Sequence, residues 1–156
     1  MPGFASNIEF LDYRVRSMQF SVSENEEAPD DVSLSIDFDF LQHEEDPNLY
    51  LAVLNVGLNS DVPMNVDVLL RAKATLEGFV RLPEDIAPTV RRLYLVEGTA
   101  LLYNTFRGTL SSFLACTEAR DYVLPSVDFA DITIKSDKER AAMRDAARQQ
   151  KNTYAY

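Results

Sequence analysis

Few side chains in this 156-residue chain have the types and spacing that chemistry requires. The sole histidine, His43, stands in Gln42-His43-Glu44-Glu45-Asp46. A zinc site would need further nitrogen or thiolate ligands at fixed spacing, and a calcium loop would need alternating oxygens around a turning glycine. Neither pattern is present, so the segment reads as a solvated acidic turn and no metal ligand is assigned. Cys116 is the only cysteine, which excludes an intramolecular disulfide and a multi-thiolate metal site. As a nucleophile it would need His43 as its base; its position after a helical apolar series reads instead as a small buried or interface residue. Asp37 and Asp39 share one strand face, as the paired acids of glycosidases do, but Ser33 and Ser35 beside them mark that face as solvated. Arg91-Arg92 could hold a phosphate, or simply open a solvated helix. Five glycines form no phosphate-cradling loop. No catalytic residue and no cofactor are assigned, and the chain reads as a binder rather than an enzyme.

The elements that carry these residues follow from hydrophobic period. Val32, Leu34, Ile36, Phe38 and Phe40 alternate with Ser33, Ser35, Asp37 and Asp39, the pattern of a half-covered strand. Residues 66–82 alternate likewise, with Gly78 as a gap that suggests a bulge or bend at Glu77-Gly78-Phe79. Leu49–Leu58 is apolar on both sides, as a central strand would be. From Ile8 to Val22 the apolar parity switches twice, and each switch implies a bulge or a change of neighbour. Turn-rich linkers at 24–31, 44–48 and 59–63 are short enough for antiparallel neighbours in a four-stranded meander.

After Pro83–Pro88 the period becomes helical. Leu102, Phe106, Leu110, Phe113 and Leu114 outline an amphipathic helix over about 98–117, with Gly98 and Thr99 at its entry. Gly108 lies mid-helix, where glycine costs about 1 kcal/mol against alanine, so close packing against another backbone is expected there. Leu124–Phe129 is extended around Pro125, and an alanine-rich helix is expected at 136–151 with Met143 as its only large apolar residue. The chain is thus predicted to be one α+β domain over 1–156, with strands at about 7–82 followed by two main helices.

Composition narrows the class. The chain is 46% hydrophobic and 26% charged, with a formal charge of −10, as suits one ordinary globular domain. Residues 1–89 carry a net −12 and residues 90–156 a net +2; within the latter, residues 135–151 carry +3. An acidic surface is unsuited to nucleic acid. No apolar run approaches the ~20 residues that span a bilayer, and Met1–Gly3 opens no signal segment, so membrane insertion is not expected. One cysteine and no leader point to the cytoplasm. One helix cannot cover both faces of such a sheet, and the surplus apolar surface suggests oligomer contacts or a binding groove.

Several of these segments resemble the SecB family of protein-export chaperones. Arg107 and Leu110-Ser111-Ser112 on the helix, then Leu124-Pro125 and Val127-Asp128-Phe129, occupy the places of that family's arginine, Ile/Leu-Ser/Thr-Ser run, leucine-proline segment and Asn/Asp-Phe end. Glu77-Gly78-Phe79 matches its glycine and following aromatic or aliphatic residue late in the fourth strand. The resemblance covers roughly residues 7–132. It implies a four-stranded antiparallel sheet with helices, assembled as a dimer of dimers (a homotetramer), that holds unfolded or precursor polypeptides in apolar grooves without nucleotide. Export members also pass cargo to the translocon motor ATPase through acidic sheet residues. This chain has Ser17, Ser21 and Lys73 where those acids stand, Asn104-Thr105 in place of a Pro-Tyr, and a basic tail.

The expectation is therefore an ATP-independent, SecB-like holdase serving protein export and transport. Leu34, Ile36, Phe38, Phe40 and Phe79 are the candidate client-binding residues. Phe106, Gly108, Leu110 and Phe113 are the candidate oligomer contacts. The alternatives are a small hydrophobic-ligand carrier, a structural oligomer subunit, and a SecB-like binder of one dedicated partner such as an antitoxin.

Overall fold

A computed structural model of the protein describes residues 9–25, 27–31 and 33–129, with the isolated positions 142, 145 and 146. The chain divides into two compact units, Met1–Ser126 and Val127–Tyr156. The first holds β1 (Glu9–Val22), β2 (Leu34–Gln42), β3 (Leu49–Leu58), β4 (Leu70–Arg81) and α1 (Pro88–Leu114). Of the second unit the described positions are 127–129, 142, 145 and 146, the last three helical. The helix expected over 136–151 thus falls almost wholly outside the described residues.

The four strands make one antiparallel sheet, so the fold is α+β, but the spatial order is β1-β4-β3-β2. The expected meander is corrected: β2, β3 and β4 are joined by successive hairpins, while β1 lies beside β4 in a Greek-key arrangement. The linker from β1 to β2 must therefore cross the end of the sheet, and its hydrogen bonds trace that crossing. Ser23 N donates to Leu69 O (2.9 Å) and Leu69 N to Pro29 O (2.9 Å) beside β4. At the end of β3, Asn59 adopts a left-handed conformation (φ 53°), which its short polar side chain tolerates. Its Oδ1 accepts from Ser33 N (2.7 Å), and its Nδ2 donates to Asp31 O (3.0 Å) and Leu70 O (2.9 Å). Asn59 is buried, and these bonds satisfy the polar groups that burial would otherwise leave unpaired.

β4 begins at Leu70 rather than near Val66, because residues 60–69 form a loop clasped by Arg71. Its guanidinium donates to the carbonyls of Asn59, Val62, Pro63 and Val66. The β1 register shifts between Phe10 and Asp12 and again between Val15 and Ser17, at the two parity switches in its sequence. The first shift also corrects the expectation for Gly78. β4 pairs without interruption through Glu77-Gly78-Phe79, and the irregularity sits across from it in β1, at Leu11.

α1 runs for 27 residues and starts ten residues before the expected entry. Pro88 occupies its first turn and Ala87 offers no side-chain cap; proline at that position loses no helical hydrogen bond and its φ is already helical. Gly98 and Thr99 are mid-helix and buried, with Thr99 Oγ1 bonded back to Leu95 O (3.1 Å). The close approach falls at Gly98, where an added Cβ would stand 3.1 Å from Val80 Cγ2. At Gly108, where it was expected, an added Cβ would meet nothing within 4 Å. The helix packs across β3 and β4. Leu54, Leu76, Leu102, Phe106 and Leu110 between them are wholly buried, each stabilising the fold by about 1.5–3 kcal/mol relative to exposure.

Candidate functional site

Alternation divides every strand between a face under α1 and an outer face. On the α1 side, β4 contributes Leu70, Ala72, Ala74, Leu76 and Val80, and β3 contributes Tyr50, Ala52, Leu54, Val56 and Leu58, all buried. Beyond β3 on the same face lie Leu34, Ile36, Phe38 and Phe40 of β2, paired with Leu58, Val56, Leu54 and Ala52. All four are half-buried. Their inner sides rest on the core, while β2 is the last strand of the sheet and leaves their outer sides open. The Phe38 and Phe40 rings lie 5.8 Å apart between centroids. Ser35, Asp37 and Asp39, on the outer face, are exposed. The quartet is thus an apolar shelf along a strand edge whose free backbone groups are able to pair with an extended peptide.

Phe79 does not belong to that shelf. In register with Leu51, which is in register with Leu41, it lies on the outer face. The candidate client-binding residues therefore divide four to one between the two sides of the sheet. The signal was available only in the register, because parity within one strand says nothing about which face it shares with another.

The candidate oligomer contacts divide as well. Phe106 and Leu110 are 0% exposed, filled into the chain's own core, and offer no surface to a second copy. Gly108 and Phe113 are exposed. Phe113 meets Phe20 of β1 at 5.9 Å between ring centroids, and Tyr13 and Val15 nearby on β1 are exposed too. This second apolar fringe, along the opposite edge of the sheet, went unassigned in the sequence because the bulges of β1 scramble its alternation.

Several polar residues have structural roles. Arg91 donates to Pro47 O (2.6 Å), Tyr50 Oη (3.0 Å) and Asn48 Oδ1 (3.3 Å); it fastens α1 to the β2–β3 turn and is committed there rather than held ready for a phosphate. His43 Nδ1 accepts from the backbone of Glu45 and Asp46 (3.1 and 3.2 Å), so the ring organises the turn. Tyr103 Oη donates to Pro125 O (2.6 Å) and Arg107 to Leu124 O (3.2 Å), which holds Leu124 and Pro125 along the helix. Burial raises the Tyr103 hydroxyl's pKa, with the Arg107 charge opposing. Tyr122 is pushed up to about 12 by burial, then by Tyr103 and Asp30. Cys116, expected to be buried or at an interface, is exposed in the chain. Among the described residues no cluster of three or more His, Cys, Asp or Glu could hold a metal.

The middle of the outer face is polar. Ser17, Gln19, Asp37, Asn55, Lys73 and Thr75 line a concavity of about 600 Å³, with Thr75 Oγ1 donating to Asn55 Oδ1 (2.8 Å). Ser17, Ser21 and Lys73, the positions at which this chain departs from acidic docking residues, all lie on this side, in register with or on β4.

Among the described residues the architecture is a Greek-key sheet of four antiparallel strands with one long helix across its middle. The chain is similar in structure to a SecB-like chaperone of Mycobacterium tuberculosis solved in complex with a ChAD peptide from an antitoxin. The TM-score is 0.50 at 14% sequence identity, over 78% of this chain and 90% of that one. No protein-family model matches the chain, and no curated protein matches it. Among the described residues no helix is long and apolar enough to cross a membrane.

Proposed function

We propose that this protein is a SecB-like, nucleotide-independent chaperone that binds extended polypeptide segments along the α1 side of β2. The observation that carries this reading is the half-buried row Leu34, Ile36, Phe38 and Phe40 on a terminal strand of the sheet. Apolar client side chains would desolvate against the row, at roughly 25 cal/mol per Å² buried, and the client backbone would pair with the strand edge. The surrounding net charge of −10 would favour cationic segments and keep a loaded complex soluble. The test is suppression of aggregation of a chemically unfolded protein without ATP. Wild-type protein is expected to suppress it, and Phe38→Ser with Phe40→Ser is expected to abolish the effect while the fold is retained. Equal protection by the double variant contradicts the assignment.

A dedicated client is the second reading, and the antitoxin peptide held by the structurally similar chaperone favours it. The two separate by breadth: a general holdase protects several unrelated unfolded proteins, whereas a dedicated binder protects one. Service in export with the translocon motor ATPase has less support, since Ser17, Ser21 and Lys73 leave the middle of the outer face without an acidic patch. The small-ligand carrier is the least supported, since the space between sheet and helix is packed with wholly buried side chains. We also propose a homotetramer in which the outward side of α1, with Leu101, Asn104, Gly108 and Ser111 exposed, and the Phe20–Phe113 fringe meet other copies. Light scattering giving a monomer at micromolar concentration would falsify that assembly.

A further inference from the structure

A terminal strand that carries an apolar row is a ready template for a second copy of itself. β2 is such a strand, nine residues long, and its backbone directions follow from two bonds just beyond its ends. Asn59 N donates to Ser33 O (2.7 Å) and His43 N to Leu49 O (2.9 Å), so the odd-numbered residues bond toward β3. Bonded and non-bonded pairs alternate along an antiparallel ladder. The even-numbered residues, Leu34, Ile36, Phe38 and Phe40, therefore direct their N–H and C=O groups away from the sheet. They are the same residues that form the half-buried apolar row. Both inducements to pairing thus reside on one set of positions.

The intervening residues oppose it. Asp37 and Asp39 are exposed on the other side of the strand, and among the described residues neither has a lysine or arginine within ion-pair distance. Asp39 Oδ1 also accepts from Phe40 N (2.8 Å), so a carboxylate already occupies one of the outward donors. A second β2 laid antiparallel along the whole strand would pair Phe38 with Phe38 and Ile36 with Phe40. That register sets Asp37 of each copy opposite Asp39 of the other. These positions fall in the non-bonded pairs, where opposed Cα atoms come within about 4.5 Å and side chains are closest. Sliding the second strand by two residues sets Asp37 against Asp37, or Asp39 against Asp39. A slip of one residue turns the apolar row to the wrong face. Only a slip of four separates the acids, and it leaves little more than half of the strand paired. Like charges directly opposite are destabilising, so the register that best matches the apolar residues is the one that carries two such pairs.

We infer that Asp37 and Asp39 determine which strands the β2 edge accepts: they close it to a second β2 and leave it open to a strand without acids at the facing positions. The apolar row is then able to stay exposed without drawing copies of the chain into an open-ended stack. The inference goes beyond the client-binding reading and holds whether or not clients use this edge.

The test is charge complementation, read by sedimentation velocity over a range of protein concentrations. Wild-type protein should keep one assembly size. Asp37→Ser with Asp39→Ser, which installs the side chain already present at Ser35 on that side, should grow beyond it. Its association constant should rise about tenfold, the scale of two opposed like-charge pairs. Asp37→Lys with Asp39→Lys should stay apart from itself, lysine against lysine, yet join wild-type protein when the two are mixed, and high salt should weaken that mixed complex. Glu44→Gln with Glu45→Gln removes the same charge from the neighbouring turn and should change nothing. In the mixture, amide shifts of the labelled wild-type chain should centre on Leu34–Gln42, a readout taken on an unaltered protein. A serine variant that stays at the wild-type size, equal growth of the Glu44 and Glu45 variant, no association in the mixture, or shifts centred away from β2 would each overturn the inference.

Discussion

The two faces of one sheet have opposite designs. Under α1 the surface is apolar throughout and closed only in the middle: β3 and β4 are buried, while the β2 row and the β1 residues Tyr13, Val15 and Phe20 stay partly open. On the outer face the middle is polar, and apolar residues gather at one end. The geometry explains the first pattern. A helix is about 10–12 Å across, whereas four strands place their outermost axes roughly 14 Å apart before side chains are added. One helix therefore covers two strands and leaves a fringe on each side. A sheet with a single helix is thus left with two apolar margins, and this sequence fills both with aromatic residues instead of charges.

The sharpest way to break this comparison is to cut the closed middle and the open margin in the same way. Phe106→Ala, which empties a fully buried position, should cost about 3–5 kcal/mol in chemical denaturation. Phe38→Ser, at the half-buried margin, should cost only about 1–1.5 kcal/mol. Near-equal losses would mean that the β2 row is core.

Asn59→Ala removes the side chain that ties the crossing linker to the ends of β3 and β4. Leaving those backbone groups unpaired should cost about 2–3 kcal/mol, read as a lowered denaturation midpoint. A loss within experimental error would show that the linker does not depend on this anchor.

A smaller effect contrasts two glycines of α1. Gly108→Ala meets open space and should stabilise the chain by about 0.5–1 kcal/mol through helix propensity. Gly98→Ala forces Val80 to give way, so it should gain less or lose outright. The reverse order would place the closely packed side of α1 away from β4.

The smallest change is expected at Tyr122, whose hydroxyl is buried with no hydrogen-bond partner among the described residues. Tyr122→Phe should leave stability at pH 7 unchanged or slightly raised, because it removes an unsatisfied group. The folded chain keeps this proton up to about pH 12, while the unfolded chain releases it near 10.0. Its contribution is therefore complete below pH 10 and lost as pH climbs toward 12. Thermal melts across that range should fall more steeply for wild-type protein than for the variant.

How much of this was legible beforehand depends on whether the information is local. Both irregularities of β1 could be read from parity alone, since a bulge moves every later side chain to the other face. The limits of β3 and the alternation of β2 were equally local. Strand order was not, because short linkers favour neighbours in sequence, whereas the pairing of β1 with β4 and the bonds of Asn59 and Leu69 are long-range. The start of α1 was hidden for a chemical reason: Ala87-Pro88 provides no polar cap, so Gly98-Thr99 looked like the entry. Phe79 was grouped with the β2 row because face membership across strands requires register. Phe106 and Leu110 looked free to meet another copy for the same reason, since periodicity identifies an apolar stripe without saying what lies against it.

The central claim, that the open margin of β2 under α1 receives extended polypeptide, is tested most directly by hydrogen exchange of the protein with and without a permanently unfolded client, in the absence of nucleotide. Slowed exchange along Leu34–Gln42, with the amides of Ser17, Gln19 and Lys73 unchanged, is the predicted result. Protection confined to the outer-face strand segments, or no change along β2 at saturating client, would contradict it.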